Sequence, residues 1–367
     1  MAILTEEQAM LRDAAKAWTS EKSPVTAFRK LRDSGASFDA GAWAEMCEMG
    51  WSGILIPEEY GGSGLGYLTL GLVLEETGRT LTASPLLSTA IATTALLLAG
   101  NDAQKSDWLP KFASGKAIGA LAVDEGAHHA PEKIALAATR DGASWKLNGK
   151  KLFVSDGDSA DVIVVAARTG GGITLFLVPG NSVTRQKLKS VDSRGVANLT
   201  FNNVSVGSDA MLGAADQGAS ILDAILDRAR AALAAEMLGA ASQSFDVTLE
   251  YLKTRTQFGQ VIGSFQALQH RAAKMFTDME LARSCVEAAL IAIDKNANDI
   301  PALCSLAKAR ASDLAHLVSN EMVQMHGGIG MTDAHDAGLY LKRARVAEAM
   351  FGGSSFHRDR YAKLMGY

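Results

Sequence analysis

The spacing of hydrophobic residues changes twice along the chain, and this change constrains the fold more than any other feature. In residues 5–115 the apolar side chains recur at helical spacing. In residues 118–213 the pattern becomes short runs typical of strands, and from residue 219 the helical spacing returns. The sequence therefore predicts an all-helical N-terminal region, a β region in the middle and a helical C-terminal region.

The middle region contains short strand-like segments separated by turn residues. Asn148-Gly149 lies between two of them, and this dipeptide favours a type I′ hairpin turn. The region is predicted to form a small antiparallel sandwich or barrel. The predicted strands are residues 118–123, 133–139, 144–147, 151–154, 162–167, 173–178 and 197–201.

Long amphipathic helices are predicted for the C-terminal region. Apolar residues from Leu268 to Ile293 step by four and three, and Pro301 opens a further helix, so the region resembles a helical bundle. The uncharged stretch Thr80–Asn101 is interrupted by Pro85 and several hydroxyl residues. It is therefore predicted to be a buried helix rather than a membrane span.

Composition excludes several classes of protein. The formal charge of −4 provides no basic surface for nucleic acid. The three cysteines have no CxxC spacing, which argues against a disulfide framework or a zinc site, so no metal is predicted. The N-terminus shows no secretory pattern. We expect a protein of a reducing compartment, the cytoplasm, without nucleic-acid or membrane partners.

Three short segments carry residue types that suit a cofactor. Arg255-Thr256-Gln257-Phe258-Gly259 places a guanidinium, suited to phosphate, three residues before an aromatic ring. Gln324-Met325-His326-Gly327-Gly328-Ile329-Gly330 ends a helix in bare backbone that a ligand could approach. Phe153 and Ser155 offer a ring face and a hydroxyl. Each segment also has a structural alternative: a salt bridge with a core residue, a helix C-cap, and strand packing.

Taken together, in this order and spacing, these segments resemble the acyl-CoA dehydrogenase family along almost the whole chain. The similar segments are LTEEQ (4–8), IPEEYGG (56–62), VLEETGR (73–79), WLPKFASGKAIGALAV (108–123), WKLNGKKLFVSDG (145–157), LTFNNVSV (199–206), YLKTRTQFGQVIGSFQALQ (251–269) and QMHGGIG (324–330). The resemblance implies an α-helical N-terminal domain (1–116), a β-sandwich or barrel middle domain (117–213) and a C-terminal four-helix bundle (214–367), with FAD at a subunit interface. In this family a flavin takes hydride from the β-carbon of an acyl-CoA while a carboxylate removes the α-proton.

The resemblance also implies roles for individual residues. Phe153 and Ser155 match positions beside the flavin ring, and Arg230 matches a conserved position assigned to substrate binding. The remaining matches form a clamp for the pyrophosphate and adenosine of a neighbouring subunit's FAD. The clamp residues are Arg255, Gln257, Phe258, Ile262, Phe265, Gln266, Leu268, Gln324, Met325, Gly327 and Gly328. A monomer is therefore not expected to hold FAD well.

The catalytic base of the family is missing from both of its usual positions. Where most members have a glutamate in the loop after the last glycine-rich stretch, this chain has Gly352. Other members take the glutamate from a helix, and that position is Ala229 here. Proton abstraction needs a carboxylate within hydrogen-bond reach of the α-proton. The identity of the catalytic residue is thus unknown from the sequence.

A second departure lies in the loop that follows the first strand. The family usually has Thr-Glu-Pro and then small residues meeting flavin and thioester, whereas this chain has Asp124 in place of the threonine, followed by His128 and His129. The two histidines are expected to be solvated. The nearby carboxylates Asp227, Glu236 and Glu348 are expected to form structural pairs or surface charges.

The favoured function is that of a subunit of an FAD-dependent acyl-CoA dehydrogenase, which works beside a base-bearing homologue in fatty-acid or steroid side-chain degradation. A homomeric enzyme with a relocated base, such as Asp124 or Glu348, is the first alternative. A flavin monooxygenase on the same fold and a non-catalytic flavin- or acyl-CoA-binding protein remain open. The expected partners are an acyl-CoA, an electron-transfer flavoprotein or similar acceptor, and a homologous or identical subunit.

Overall fold

The computed structural model describes residues 4–367, which divide into two compact units. The first unit comprises the chain up to Arg29, Tyr67–Thr82 and Arg230–Tyr367. The second comprises Lys30–Gly66 and Ala83–Ala229. Each unit is described by itself below. No helix in the described part of the chain is long and apolar enough to cross a membrane.

The N-terminal region is helical, as predicted. Side-chain caps fix two of its helix starts, because Thr5 with Gln8 and Asn101 with Gln104 form reciprocal capping boxes. Eleven consecutive residues, Leu86–Leu96, are buried in the fifth helix, which confirms the prediction of a buried helix within the uncharged stretch. The helices are α1 Glu6–Lys22, α2 Val25–Ser34, α3 Ala40–Glu48, α4 Gly66–Arg79, α5 Leu86–Ala99 and α6 Asp102–Ala113.

The middle region forms one mixed sheet of eight strands within the second unit. Its strands are β1 Gly119–Ala122, β2 Ala137–Asp141, β3 Ser144–Ser155, β4 Val162–Arg168, β5 Ile173–Pro179, β6 Thr184–Lys187, β7 Val196–Gly207 and β8 Met211–Leu212. The order is β6-β7-β3-β2-β4-β5-β8, and β1 pairs with β4. Most pairs are antiparallel as predicted, but β1 and β2 both run parallel to β4.

The predicted hairpin turn at Asn148-Gly149 is wrong. Strand β3 continues through both residues, and the β2–β3 turn lies earlier, where Asp141 pairs with Ser144 and Gly142 has φ +62°. Gly149 instead has φ +143°, and a Cβ there would lie 3.1 Å from Leu136 Cα. The glycine therefore permits a close approach of two backbones rather than a turn.

The C-terminal region consists of long helices joined by short connections. The elements are α7 Gly218–Thr254, a small hairpin of β9 Thr256–Gln257 and β10 Gln260–Val261, α8 Gln266–Asp294, α9 Ile300–His326, α10 Ala337–Ala349 and α11 Ser354–Leu364. Pro301 lies in the first turn of α9, as predicted. Six of the apolar residues predicted for the core face of α8 are buried: Met275, Met279, Ala282, Val286, Ala289 and Ile293.

Close backbone contacts hold α4 against α7 in the first unit. A Cβ on Gly78 would lie 2.2 Å from the Glu236 carbonyl oxygen, and one on Gly239 would lie 1.8 Å from the Glu75 carbonyl oxygen. Only glycine fits at these two positions. Arg343 Nε and Nη2 donate to Glu236 at 2.9 and 3.0 Å, so this buried carboxylate is fully engaged in a structural pair.

Candidate active site

The end of strand β3 presents an exposed aromatic ring on a strained backbone. The β3–β7 pairing shifts register between Lys151 and Val154, which places Phe153 in a bulge. Phe153 has φ +53° and is 56% exposed, and its backbone N–H donates to Asn198 Oδ1 at 3.1 Å. The pairing resumes at Val154, and Ser155 lies opposite Val196. A bulky residue in a left-handed conformation typically marks a functional position.

A buried lysine anchors this bulge to the loop after β1. Lys151 Nζ is fully buried and donates to the Val123 carbonyl at 2.9 Å and to Glu125 Oε1 at 2.7 Å. Glu125 also accepts the backbone N–H groups of Ala135 and Leu136. Burial lowers the pKa of Lys151 to about 8, although the hydrogen bond and charge of Glu125 oppose the decrease.

The same loop contains a carboxylate–imidazole pair. His129 Nδ1 lies 2.9 Å from Asp124 Oδ1 and 3.1 Å from Asp124 Oδ2, and the His129 side chain is only 2% exposed. The Asp124 carbonyl accepts the N–H of Leu152, the residue before Phe153. The expectation of two solvated histidines therefore holds for His128, which is exposed, and is wrong for His129, because pairing with Asp124 stabilises its burial.

The first unit presents a second exposed aromatic ring, at the tip of the β9–β10 hairpin. The two-residue turn consists of Phe258 and Gly259, with φ +54° and +78°, as a type I′ turn requires. Phe258 is 91% exposed, and its ring lies edge to face with Phe265 at 6.2 Å between centroids. Arg255 is exposed beside this hairpin, and no described residue accepts a hydrogen bond or ion pair from its guanidinium.

The remaining clamp residues of this segment continue along the chain from the hairpin. Ile262 donates its N–H to the Arg255 carbonyl at 2.8 Å, which ties the hairpin base to the last turn of α7. Phe265 precedes the first residue of α8, Gln266, and Leu268 lies one turn further and is partly buried. Gln257 is exposed, and its side-chain amide donates to the neighbouring Thr256 carbonyl.

The end of helix α9 is open to a ligand. Gly327 has φ +63° and serves as the helix C-cap, and a Cβ on Gly327 or Gly328 would meet no atom within 4 Å. Gln324 is exposed, whereas the Met325 side chain is buried. Both the C-cap interpretation and a backbone approachable by a ligand are consistent with this geometry.

Stacked rings bring the two parts of the predicted clamp together. Tyr251 lies one turn before Arg255, and its ring centroid is 4.3 Å from that of His326. His326 in turn packs on His335 at 4.2 Å between ring centroids, and its Nδ1–H donates to the Met322 carbonyl at 2.7 Å. Burial lowers the pKa of both histidines, and their mutual proximity lowers that of His326 further. The end of α7 is thus adjacent to the end of α9.

These features fit the FAD site that the resemblance implies. The first unit offers an unpaired guanidinium, an exposed ring and two glycines without neighbours, which suit a pyrophosphate and a nucleobase. The second unit offers Phe153 and Ser155. Two large aromatic residues held exposed at positive φ cost stability, and such strain is typical of ligand-binding positions.

The loop that should carry the catalytic glutamate is closed to side chains at Gly352. This residue is buried with φ +102°, and a Cβ would lie 2.5 Å from Phe356 Cδ1 and 3.0 Å from His357 Nε2. Ala229, the other family position, is buried in α7. Neither position supplies a carboxylate.

Three basic side chains hold the backbone of this loop. Arg230 Nε donates to the Phe351 carbonyl at 3.3 Å, and its guanidinium lies over the Phe356 ring at 5.6 Å. His357 Nε2 is 3.0 Å from the same carbonyl. Lys308 Nζ donates to the carbonyls of Gly352 at 3.0 Å and Glu348 at 3.1 Å.

Burial lowers the pKa of two of these three groups. It lowers the pKa of Lys308 to about 7, and nearby Arg230 adds to the decrease while Glu348 opposes it. It lowers the pKa of His357 to about 2, with further decreases from Arg230 and Lys308. At pH 7 the loop is therefore held by a neutral His357, a Lys308 that is only partly protonated, and one permanent cation, Arg230, which is fully buried.

The carboxylates considered as substitutes are largely engaged elsewhere. Arg345 Nη1 donates to both oxygens of Glu348 at 2.8 and 3.0 Å. Glu236 pairs with Arg343, and Asp227 is buried in the second unit. The prediction of structural pairs is confirmed for Glu236 and Glu348.

Sequence reasoning missed Lys151, Lys308 and His357. The signal for Lys308 was present, because it shares a helix face with three residues that the structure buries: Cys304, Ala311 and Ala315. A charged residue on an apolar face predicts either a polar network or a functional group. His357 follows Phe356 in α11 and gave no comparable signal.

Comparisons with known proteins agree with this architecture. Family models of the acyl-CoA dehydrogenase N-terminal, middle and C-terminal domains match residues 5–116, 123–204 and 216–366. The acyl-CoA dehydrogenase IpdE2 of Mycolicibacterium smegmatis is 32% identical over 352 residues, 95% of this chain and 96% of that protein.

Two solved structures are similar over nearly the whole chain. A variant of the Tcur3481-Tcur3483 steroid ACAD superposes with a TM-score of 0.91 at 30% identity, covering 98% of each chain. The ChsE4-ChsE5 complex from Mycobacterium tuberculosis does so with a TM-score of 0.92 at 26% identity, covering 100% of each chain. The chain belongs to the acyl-CoA dehydrogenase family of FAD-dependent enzymes. The predicted family, fold class, enzyme class and cofactor are confirmed.

Proposed function

We propose that this chain is a subunit of an acyl-CoA dehydrogenase that lacks its own catalytic carboxylate and works with a base-bearing homologue. The observation that carries the proposal is the geometry of Gly352. Its φ of +102° and the Phe356 ring in the space of a Cβ leave no room for a glutamate side chain. The engagement of Glu348 by Arg345 supports the same conclusion.

We propose that the chain contributes its clamp to FAD. Arg255 binds the pyrophosphate, Phe258 packs on the adenosine, and the backbone at Gly327 and Gly328 permits close approach. Phe153 and Ser155 are proposed to flank the ring system. FAD supplies the two-electron acceptor for the hydride lost from the β-carbon. The proton of the α-carbon needs a separate acceptor, which the homologue supplies.

Arg230 is proposed to shape the acyl-CoA site through the loop that it holds. Its buried guanidinium donates to the Phe351 carbonyl. We therefore expect Arg230 to position the loop at residues 351–353, with an indirect effect on substrate.

Two of the similar structures support a two-chain enzyme that acts on a bulky acyl-CoA. One is named as a complex of two proteins, ChsE4 and ChsE5, and the other carries two names and is a steroid ACAD. We propose a heteromer of this kind in the degradation of a steroid side chain or fatty acid. An electron-transfer flavoprotein or similar acceptor would reoxidise the flavin. A cytoplasmic location is proposed because the three cysteines are free.

The proposed organisation along the chain is three domains, at residues 1–116, 117–213 and 214–367. The two compact units cut across this division, since the first unit combines α1, α4 and the C-terminal helices. Expression of residues 117–213 alone tests it, and the division predicts a cooperatively folding β domain. An aggregated or unfolded fragment would count against it.

The test of the favoured function compares the chain alone with the chain co-purified from its host. Homologous partners are identified by mass spectrometry, and both forms are assayed with acyl-CoA esters and an artificial electron acceptor. A missing general base typically costs about 10²–10⁴ in rate, so the chain alone should be nearly inactive. Activity that appears only with a glutamate-bearing partner supports the proposal. Robust dehydrogenation by the homomeric chain refutes it, and turnover of oxygen would favour a monooxygenase.

A homomer with a relocated base is the second candidate, and the Asp124–His129 pair favours it. Asp124 is one-quarter exposed, and an imidazole beside a carboxylate can take up and pass on a proton. If this candidate is correct, Asp124→Asn should lower the rate of the homomer by at least about 10²-fold, as expected for loss of a general base. The variant His128→Asn, next to the pair but exposed, is the matched control.

Arg255→Ala tests the assignment of the clamp. Loss of a charge-assisted phosphate contact of about 1.5–3 kcal/mol lowers FAD affinity roughly 10- to 100-fold. Bound flavin is measured by absorbance after gel filtration. Lys253→Ala removes an exposed cation on the preceding turn that pairs with Glu250 and should leave retention unchanged. Equal retention by both variants would show that Arg255 does not hold the cofactor.

A further inference from the structure

The bulge in strand β3 faces a single polar residue of strand β7. Pairing between the two strands stops after Lys151 and resumes at Val154. The two residues in between, Leu152 and Phe153, lie opposite one residue of β7, Asn198. Two residues facing one define a β-bulge, in which the ladder of backbone hydrogen bonds is interrupted. The backbone N–H groups of the bulge therefore need acceptors from outside the ladder.

Two different acceptors satisfy these N–H groups. The Leu152 N–H donates to the Asp124 carbonyl at 2.7 Å, and the Phe153 N–H donates to Asn198 Oδ1 at 3.1 Å. The first acceptor is a backbone carbonyl, which any residue at position 124 provides. The second acceptor is a side chain, so it is lost when the residue type at position 198 changes. The conformation of Phe153 is thus linked to the identity of Asn198.

Asn198 is fixed in a position from which it can reach the bulge. Its neighbours Ala197 and Leu199 are fully buried, and side chains alternate along a strand, so the Asn198 side chain lies on the opposite face of the sheet. On the side away from β3, Asn198 pairs with Gln186 of β6. Because β7 is paired with a strand on each side here, the backbone that carries the Asn198 side chain has little freedom.

The hydrogen bond maintains a conformation of Phe153 that is unfavourable by itself. Phe153 has φ +53°, a region that bulky residues avoid, and its ring is 56% exposed. Burial of the ring therefore does not offset the backbone strain. Without an acceptor for its N–H, Phe153 can return to the extended backbone that such residues prefer. A change of φ on this scale gives the ring a different direction, which is how bulges aim side chains.

We propose that Asn198 is a positioning residue, which holds the Phe153 ring in the orientation in which it flanks the flavin. This inference rests on the proposed function, because it takes Phe153 as a neighbour of the flavin ring system. Asn198 acts through the backbone N–H of Phe153 and contributes no chemistry of its own. A side chain of the same shape without an acceptor should therefore release the bulge.

Hydrogen exchange of the Phe153 amide measures this hydrogen bond without requiring flavin. Isotope-labelled phenylalanine gives one amide signal for each of the 12 phenylalanines in a nuclear magnetic resonance spectrum, and the signal lost in Phe153→Gly identifies Phe153. Asn198→Leu should accelerate its exchange about 2- to 10-fold, the factor that corresponds to one neutral hydrogen bond. Asn198→Asp keeps an acceptor and should retain slow exchange. Asn202→Leu, at an exposed position of the same strand, is the matched control.

A double-mutant cycle tests whether Asn198 acts on flavin through the Phe153 ring. Phe153→Gly removes the ring and adopts positive φ without strain, so it should lower FAD affinity roughly 2- to 10-fold through loss of ring packing. Asn198→Leu should lower FAD affinity by no more than Phe153→Gly does, and it should cause no further loss when Phe153 is already glycine. Flavin absorbance and visible circular dichroism follow the titration, on the full chain with any homologous partner that co-purifies.

The inference is overturned if the Phe153 amide exchanges equally slowly in Asn198→Leu, since the contact from Asp124 then suffices. It is also overturned if Asn198→Leu leaves FAD affinity intact, or lowers it equally with and without the Phe153 ring, because the second result indicates a general structural effect. Full affinity and an unchanged flavin spectrum in Phe153→Gly would instead refute the proposed place of Phe153 beside the flavin, and the inference with it.

Thermal unfolding followed by far-ultraviolet circular dichroism establishes that each variant is folded before it is compared. If Asn198→Leu does not fold, Asn198→Ala takes its place with the same expected outcomes, because alanine also lacks an acceptor.

Discussion

Replacing Gly352 by serine should destabilise the protein severely, whereas the same change one residue later should not. Gly352 has φ +102°, and its missing Cβ corresponds to a point 2.5 Å from Phe356 Cδ1 and 3.0 Å from His357 Nε2. The next residue, Gly353, has φ −80°, and the nearest atom to its Cβ would be the Glu348 carbonyl oxygen at 3.8 Å. The two glycines thus differ in the two properties that decide whether a side chain fits.

The size of the destabilisation follows from backbone strain and from steric overlap. A non-glycine residue in a sparsely populated region of φ costs about 1–3 kcal/mol. Forcing an atom into the occupied space beside Phe356 costs about 1–3 kcal/mol more, because the ring must leave its rotamer or the loop must shift. Gly352→Ser should therefore lower the free energy of unfolding by about 2–6 kcal/mol, a large part of the roughly 5–15 kcal/mol of a typical domain.

Gly353→Ser is the internal control, because Gly353 is the residue before α11 and serine is a favourable N-cap. We expect its stability to equal or exceed that of the unsubstituted chain. Urea unfolding followed by circular dichroism measures both variants. Equal midpoints for Gly352→Ser and Gly353→Ser would refute the claim that residue 352 is closed to side chains.

The closed position at residue 352 also bears on the missing base. Gly352→Glu should be as destabilised as the serine variant and should gain no dehydrogenase activity. Phe351 precedes it, is half-buried, and already carries a side chain at φ +56°. Phe351→Glu is therefore the variant in which a carboxylate can enter this loop, and its activity alone and with a partner is assayed beside that of Gly352→Glu. A stable and active Gly352→Glu enzyme would contradict the structural argument for a partner.

Three further predictions concern strained or buried groups. Phe258→Asn should raise the free energy of unfolding by roughly 1 kcal/mol, because asparagine tolerates the left-handed turn. The same variant should weaken FAD retention. Urea unfolding and flavin absorbance measure the two effects on one preparation. Between pH 7 and 10.5 the free energy of unfolding should rise by up to about 1.4 kcal/mol per pH unit, because Lys308 is protonated in the unfolded chain and largely neutral in the native one. Lys308→Met should remove this slope, as measured by urea midpoints at each pH. On acidification below pH 6.5 stability should fall, because the unfolded chain protonates His357 while the native pKa is about 2, and His357→Gln should show a smaller loss between pH 7 and 5.

Much of the architecture was predictable because spacing alone reports which faces are buried. The stripe of α8 and the buried stretch of α5 follow directly from the period and the absence of charge. The position of the β2–β3 turn did not follow from the sequence, because Asp141-Gly142 and Asn148-Gly149 are both dipeptides that favour hairpin turns. The choice between them depends on the approach of Leu136 to Gly149, which is a tertiary contact.

Residues of the candidate site could be predicted only where the residue type and its immediate neighbours in the sequence indicate the function. Arg255 and Phe258 stand out because they lie beside a glycine in an otherwise polar turn. The pair of Asp124 and His129 could not be found in this way, since four residues of irregular backbone separate them and only the folded loop brings Nδ1 to the carboxylate. Burial of His129 is then a consequence of that pairing.

The pKa values of the basic residues that hold the loop at 351–353 depend on whether the loop contains a carboxylate. A carboxylate in this loop would stabilise the protonated forms of Lys308 and His357, whereas without it burial and the charge of Arg230 lower the pKa of both groups. The low pKa values of Lys308 and His357 are thus what burial beside an arginine requires when no anion is present in the loop. Introducing glutamate at position 351 should raise the pKa of Lys308 and move the alkaline stability slope to higher pH. A slope that stays between pH 7 and 10.5 in a folded Phe351→Glu variant would show that the new carboxylate does not reach this group, and that the loop cannot serve as the site of a restored base.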